Sequence, residues 1–206
     1  MPRFDKIFIG LLLGFAPPIF FFLVALIIWF YFDRNENYVL YYTFSGLLLG
    51  LIINLRYFKG WIIHHFKLPI WMIVGLYLFY NIVMYGMFMG FPVFNLLWGV
   101  IAGYYYGLRI HYLNLPSTQY PRIINQVSIF TALTMTLICI SSALIALAGN
   151  GVGKDLQMMF GLNFEVTKPM ITVIALIGGV MLIGLQYYIT NITMRKTIVF
   201  ANSTPK

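Results

Sequence analysis

The sequence predicts an all-α integral membrane protein, a six-transmembrane-helix bundle with its N-terminus and C-terminus cytoplasmic. Three observations predict it. Of 206 residues, 61% are hydrophobic and only 9% are charged, against about 25% charged in an ordinary soluble domain. Six apolar runs are each long enough to supply the roughly 20 residues that cross a bilayer core as a helix. The charges fall between those runs, with the bases gathered on one side.

The runs cover 7–32, 38–57, 69–90, 92–112, 124–148 and 169–193. No linker or soluble module interrupts them, so residues 1–206 read as one polytopic membrane domain. The first span follows Arg3 and Lys6. Its apolar run exceeds the roughly 7–15 residues of a signal-peptide core and no small-residue cleavage site follows, so it reads as an uncleaved helix. Gly10 and Gly14 form a small stripe on it. Pro17 and Pro18 predict a helix kink, because proline lacks the amide donor and clashes with the carbonyl four residues back. The carbonyls of Leu13 and Gly14 thereby lose their helical partners. Such freed groups suit either a packing bend or, as in the broken helices of transporters, a solute site.

The second span carries Gly46, Gly50 and Asn54, and the fourth carries Asn95, Gly99, Gly103 and Gly107. Glycine stripes let helices approach closely where lipid removes the hydrophobic drive to associate. The patterns Gly46-x3-Gly50-x4-Leu55-Arg56 and Gly99-x3-Gly103-x4-Leu108-Arg109 share one spacing, offset by 53 residues. They fit a duplicated two-helix unit or a convergent packing pattern. The segment 57–68, with Lys59, Trp61, His64, His65 and Lys67, suits the headgroup level, and Tyr104, Tyr105 and Tyr106 read as an aromatic belt. Spans three and four meet at a tight Gly90-Phe91-Pro92 turn. The longest loop, 149–168, opens Gly149-Asn150-Gly151-Val152-Gly153 and runs into an apolar patch ending at Phe160, the pattern of a lid or of a loop resting on the bilayer. The sixth span adds Gly178, Gly179 and Gly184.

The charges set the orientation. With the N-terminus inside, the inner side holds ten bases (Arg3, Lys6, Arg56, Lys59, Lys67, Arg109, Arg122, Arg195, Lys196 and Lys206) against Asp5. The outer side holds Arg34, Lys154 and Lys168 against Asp33, Glu36, Asp155 and Glu165. Every inner loop follows the positive-inside bias. The net charge of +8 therefore reports orientation and contact with anionic membrane lipids, not nucleic acid. The expected location is a plasma (cytoplasmic) membrane, multi-pass, of a bacterial cell. The glycosylation triplets at Asn191 and Asn202 then lie on the wrong side to be used, and Cys139, the only cysteine, sits mid-membrane without a disulfide partner.

The same inventory argues against an enzyme. No Asp or Glu lies inside a predicted span, which disfavours the intramembrane carboxylate relays of proton-coupled carriers. His-Glu-x-x-His and Gly-x-Ser-x-Gly are absent. His64, His65 and His111 lack the carboxylate or thiolate company a metal needs, so no metal site and no cofactor is expected. Gly149–Lys154 has the wrong spacing for a phosphate loop.

One polar-aromatic group remains as a ligand-binding candidate. Tyr77, Asn81 and Tyr85 share a stripe on span three. After the tight turn, Asn95 and Trp98 stand one helical turn apart, and an antiparallel hairpin brings both sets to similar depth. Neutral hydrogen-bonding groups beside aromatic walls suit a small-molecule ligand; buried asparagines equally serve to bond helices together. The compact layout, with Gly10 and Gly14 as a docking stripe, is similar to the substrate-binding subunits of energy-coupling-factor transporters. That resemblance is one of outline and carries no specific motif; it implies a subunit that binds a small solute and takes its energy from partner proteins. The alternative is a non-catalytic assembly protein that packs against a membrane-protein partner, or a second copy of itself, through its glycine stripes. A lipid-modifying enzyme is disfavoured because no acid–base pair lies at either interface.

Overall fold

The computed structural model describes residues 3–88, 90–149, 151–161, 163–164 and 166–203. The described residues form seven α-helices and no strand: α1 (Arg3–Ile28), α2 (Val39–His64), α3 (Ile70–Met87), α4 (Leu96–Tyr112), α5 (Tyr120–Ala148), α6 (Val152–Phe160) and α7 (Lys168–Ser203). Five helical segments are long and apolar enough to cross a membrane: Ile7–Asp33, Glu36–Tyr57, Ile70–Met87, Ser117–Ala148 and Lys168–Ser203. The predicted fourth span is shorter than its apolar run. Its first residues, Pro92–Asn95, form a 3-10 turn and only the following 17 residues are α-helical.

Elsewhere helices outrun the apolar runs. α2 continues past Arg56 to His64, because nothing breaks it before Pro69. α7 continues past the predicted end at residue 193 to Ser203. Arg195 and Lys196 interrupt hydropathy but are good helix formers. The predicted loop 149–168 contains α6, which ends at Gly161 in the left-handed conformation (φ 60°). The lid expectation also falls on Asn150, Leu162 and Glu165, which lie outside the described residues.

The chain divides into two compact units, residues 1–76 and 77–205, with the boundary inside α3. In the first unit α1 packs along α2. α1 closes in a π-turn, Trp29–Asp33, with Arg34 left-handed behind it. The Trp29 indole donates to the Asn35 carbonyl at 2.8 Å, and Asn35 accepts from the Asn37 amide at 3.1 Å, an Asx turn that starts the next helical segment.

α1 runs helically through Pro17 and Pro18, and α2 accommodates both. A Cβ on Gly50 would lie 2.5 Å from Pro18 Cα and 2.7 Å from the Pro17 carbonyl oxygen, so only glycine permits this approach. The Gly14 carbonyl, deprived of a donor because residue 18 is proline, accepts instead from Asn54 Nδ2 at 3.1 Å. Gly46 one turn earlier meets the Phe21 carbonyl and Ala25. Gly10 is buried.

In the second unit α7 packs against both α4 and α5. Ile110, Ile124, Val127, Met194 and Ile198 form an apolar cluster flanked by Tyr106, Leu115, Tyr120 and Ile123. It is this cluster that holds the extension of α7 in place, and His111 Nδ1 reaches Asn202 Oδ1 at 2.8 Å beside it. Tyr105 is buried rather than part of an interfacial belt. The glycines of α4 face α7: Gly99 meets the Gln186 and Thr190 side chains, Gly103 the Thr190 carbonyl and Thr193, and Gly107 Thr197. The two copies of the glycine–arginine pattern thus use different partners, an earlier helix in one case and the last helix in the other. Their leucines also differ: Leu55 is 82% exposed and Leu108 3%.

Candidate functional site

Beside its apolar cluster, the second unit buries a group of polar side chains. Asn95 Nδ2 donates to the Asn81 carbonyl at 2.9 Å and to Asn81 Oδ1 at 3.0 Å. Asn81 Nδ2 donates to the Tyr77 carbonyl at 2.9 Å. The Tyr77 hydroxyl accepts from Gln186 Nε2 at 3.2 Å. The Gln186 amide and the Thr190 hydroxyl lie over Gly99, each 3.0 Å from where its Cβ would stand. Thr190 Oγ1 meets Thr131 Oγ1 at 2.9 Å, and Thr131 donates back to the Ser128 carbonyl at 3.0 Å. Neutral amides and hydroxyls from α3, the Pro92–Asn95 turn, α5 and α7 thus form two hydrogen-bonded groups, which meet over Gly99 of α4 in one polar path.

Helix geometry explains why these residues meet. Gln186 and Thr190 are four apart on α7, as are Tyr77 and Asn81 on α3, and Ser128 and Thr131 are three apart on α5; each pair shares a helix face. The glycine at position 99 removes the side chain that would otherwise exclude Gln186.

Of the five predicted ligand residues, the structure joins Tyr77, Asn81 and Asn95 by hydrogen bonds. Trp98 lies beside them and stacks on Tyr80, with ring centroids 4.7 Å apart and planes 16° apart. Tyr85 is turned elsewhere: its hydroxyl faces Gly90 in the connecting turn, whose carbonyl accepts from Ser142 at 2.8 Å. Gln186, Thr190, Thr131 and Ser128 did not stand out in the sequence. Their signal was a polar residue recurring at three or four positions within otherwise apolar helices.

The path is not saturated. Asn95 Oδ1, Trp98 Nε1, Gln186 Oε1 and Ser128 Oγ are buried and have no hydrogen-bond partner among the described residues. Their residues are 0%, 8%, 1% and 0% exposed. A buried polar atom without a partner costs about 1–3 kcal/mol, so four along one path demand a physical reason. Asn54 Oδ1 in the first unit and the Tyr85 hydroxyl in the second are also buried without a partner among the described residues. Among the described residues no three His, Cys, Asp or Glu side chains gather in a way that holds a metal.

The surface is the reverse of the interior. Leu133, Leu137 and Leu144 on α5 and Leu176 and Val180 on α7 are exposed, while amides and hydroxyls on the same two helices are buried. Apolar outside and hydrogen-bonded inside is the arrangement stable in hydrocarbon. The chain is therefore a multi-pass α-helical membrane protein. Comparison with known protein families, with curated proteins and with solved structures finds no match to it.

Proposed function

We propose that this chain is a small-solute-binding or transport subunit of a cell membrane, dependent on partner proteins for energy. The observation that carries the proposal is the neutral path through the second unit, with four buried polar atoms still able to bond. A solute that supplies those bonds recovers free energy that the unpaired atoms leave unrealised, and it does so where water competes poorly. The path lacks Asp, Glu, Lys, Arg and His, which fits binding without proton transfer.

Six spans and cytoplasmic termini belong to the same proposal. The 17 residues of α4 rise about 25 Å, and the Pro92–Asn95 turn before it brings the segment to the roughly 30 Å of a bilayer core. The inner surplus of bases supplies the orientation. Single cysteines placed at Lys196 and at Lys154 in a Cys139→Ala background test it: the first is expected to be shielded from impermeant thiol reagents in intact cells and the second to be labelled.

The assembly reading rests on free glycine faces. Gly46, Gly50, Gly99, Gly103 and Gly107 are already covered by helices of the same chain, whereas Gly178 and Gly184 stand in open space. The functional test combines a thermal-stability screen of the purified chain against a broad metabolite panel with identification of co-purifying proteins. A stabilising solute whose effect is lost in Asn81→Leu and Asn95→Leu supports the proposal. Absence of any stabilising solute, together with no co-purifying ATPase, refutes it. A complex that survives Asn95→Leu but is lost on Gly184→Leu favours assembly.

A further inference from the structure

We propose that the solute taken by this path is uncharged and carries both hydrogen-bond donors and an acceptor, as a carboxamide, lactam or urea group does. The inference rests on the solute-binding reading above and narrows it to a chemical class.

The unpaired atoms lie close together by construction. Asn95 and Trp98 are three residues apart along the Pro92–Tyr112 helical segment, and the Gln186 amide sits on Gly99, the next residue. Positions i, i+3 and i+4 of a helix form one face within about 6 Å of rise. The free atoms on that face and on the Gln186 amide packed over it are two amide oxygens, Asn95 Oδ1 and Gln186 Oε1, which accept, and one indole N–H of Trp98, which donates. Ser128 Oγ, free on α5, does either.

Complementarity then selects the class. A ligand with acceptors alone leaves both amide oxygens unpaired. One with donors alone leaves the indole N–H unpaired. A site built to hydrogen-bond its ligand rejects analogues lacking those groups strongly, because its own buried atoms are then stranded. Charge is excluded by the same count: no ionised side chain lies on the path to neutralise an ion, and an unpaired charge in a low-dielectric interior is heavily penalised.

The test uses the full chain in lipid nanodiscs, with benzamide and uracil as neutral probes, and benzoate, benzylammonium and sodium ions as charged ones. Thermal unfolding and tryptophan fluorescence are read over a millimolar titration. Gln186→Met keeps side-chain bulk and Trp98→Phe keeps an aromatic ring while each removes one bonding atom set, and helical circular dichroism confirms that they fold. The expected result is a stabilising shift with a neutral probe and none with the ions, and about tenfold weaker binding in each variant. Equal or better binding of an ion overturns the inference, as does unaltered neutral binding in both variants. A panel metabolite that binds while carrying a net charge, or lacking N–H or O–H donors, also overturns it and leaves the solute-binding reading standing. If neither these probes nor any metabolite binds, both fail together.

Discussion

Gly50→Ala is the sharpest probe of how the first unit holds two consecutive prolines inside a helix. The added Cβ would stand 2.5 Å from Pro18 Cα, 2.7 Å from the Pro17 carbonyl oxygen and 2.8 Å from Pro18 N. Carbon atoms in contact sit about 3.5–4.0 Å apart, so the overlap is about 1 Å. All three obstructing atoms are backbone, and no rotamer change relieves them. α1 and α2 must separate by about that much, and overpacking of this kind costs about 1–3 kcal/mol. The same separation stretches the Asn54–Gly14 bond from 3.1 Å beyond hydrogen-bonding range, which adds about 0.6–2 kcal/mol. A total near 3 kcal/mol is expected. Gly184→Ala is the control, since nothing lies within 4 Å of its Cβ; there the better helix propensity of alanine is worth up to about 1 kcal/mol in the stabilising direction. Both variants are compared with the parent by reversible unfolding in one detergent, following helical circular dichroism. If Gly50→Ala proves as stable as Gly184→Ala, the close approach of α2 to the proline pair is refuted.

Asn54→Leu is expected to destabilise by about 1 kcal/mol by stranding the Gly14 carbonyl. In a Pro18→Ala background, where residue 18 regains its own N–H, that cost should vanish, and a double-mutant cycle showing no coupling counts against the assigned bond. Thr131→Val and Thr190→Val should couple by about 0.6 kcal/mol, the usual size for a hydrogen bond between membrane helices; additive effects argue against their 2.9 Å contact. Asn202→Ala should change stability by less than about 0.5 kcal/mol, because its bond to His111 is exposed, and a large loss would mean that the end of α7 is held differently.

The places where sequence and structure part company have identifiable causes. Hydropathy marks where a helix enters lipid, not where its backbone hydrogen bonds stop; hence α2 runs on to His64 and α7 to Ser203. Pro92 opens a 3-10 turn ahead of α4, a local backbone effect that an apolar run does not display. The asparagine stripe was legible because Asn81 and Asn95 are rare polar residues in apolar spans and flank a tight turn. Gln186 and Thr190 were just as polar, but they lie about a hundred residues further on, and periodicity within one helix does not say which other helix it faces. Tyr85 shares the stripe of Tyr77 and Asn81, yet its hydroxyl lies beside Gly90 and joins no hydrogen bond among the described residues.

Composition alone determined that this chain lives in a membrane, because a surface with so few charges cannot be wetted, and residue spacing determined which residues share a helix face. The tertiary structure decided what those faces meet. It matched Gly50 to the proline pair, gave Asn54 to the carbonyl that Pro18 had orphaned, and laid Gln186 over Gly99. Each depends on two helices approaching closely at one register, and such an approach is a property of paired surfaces that a single helix does not encode.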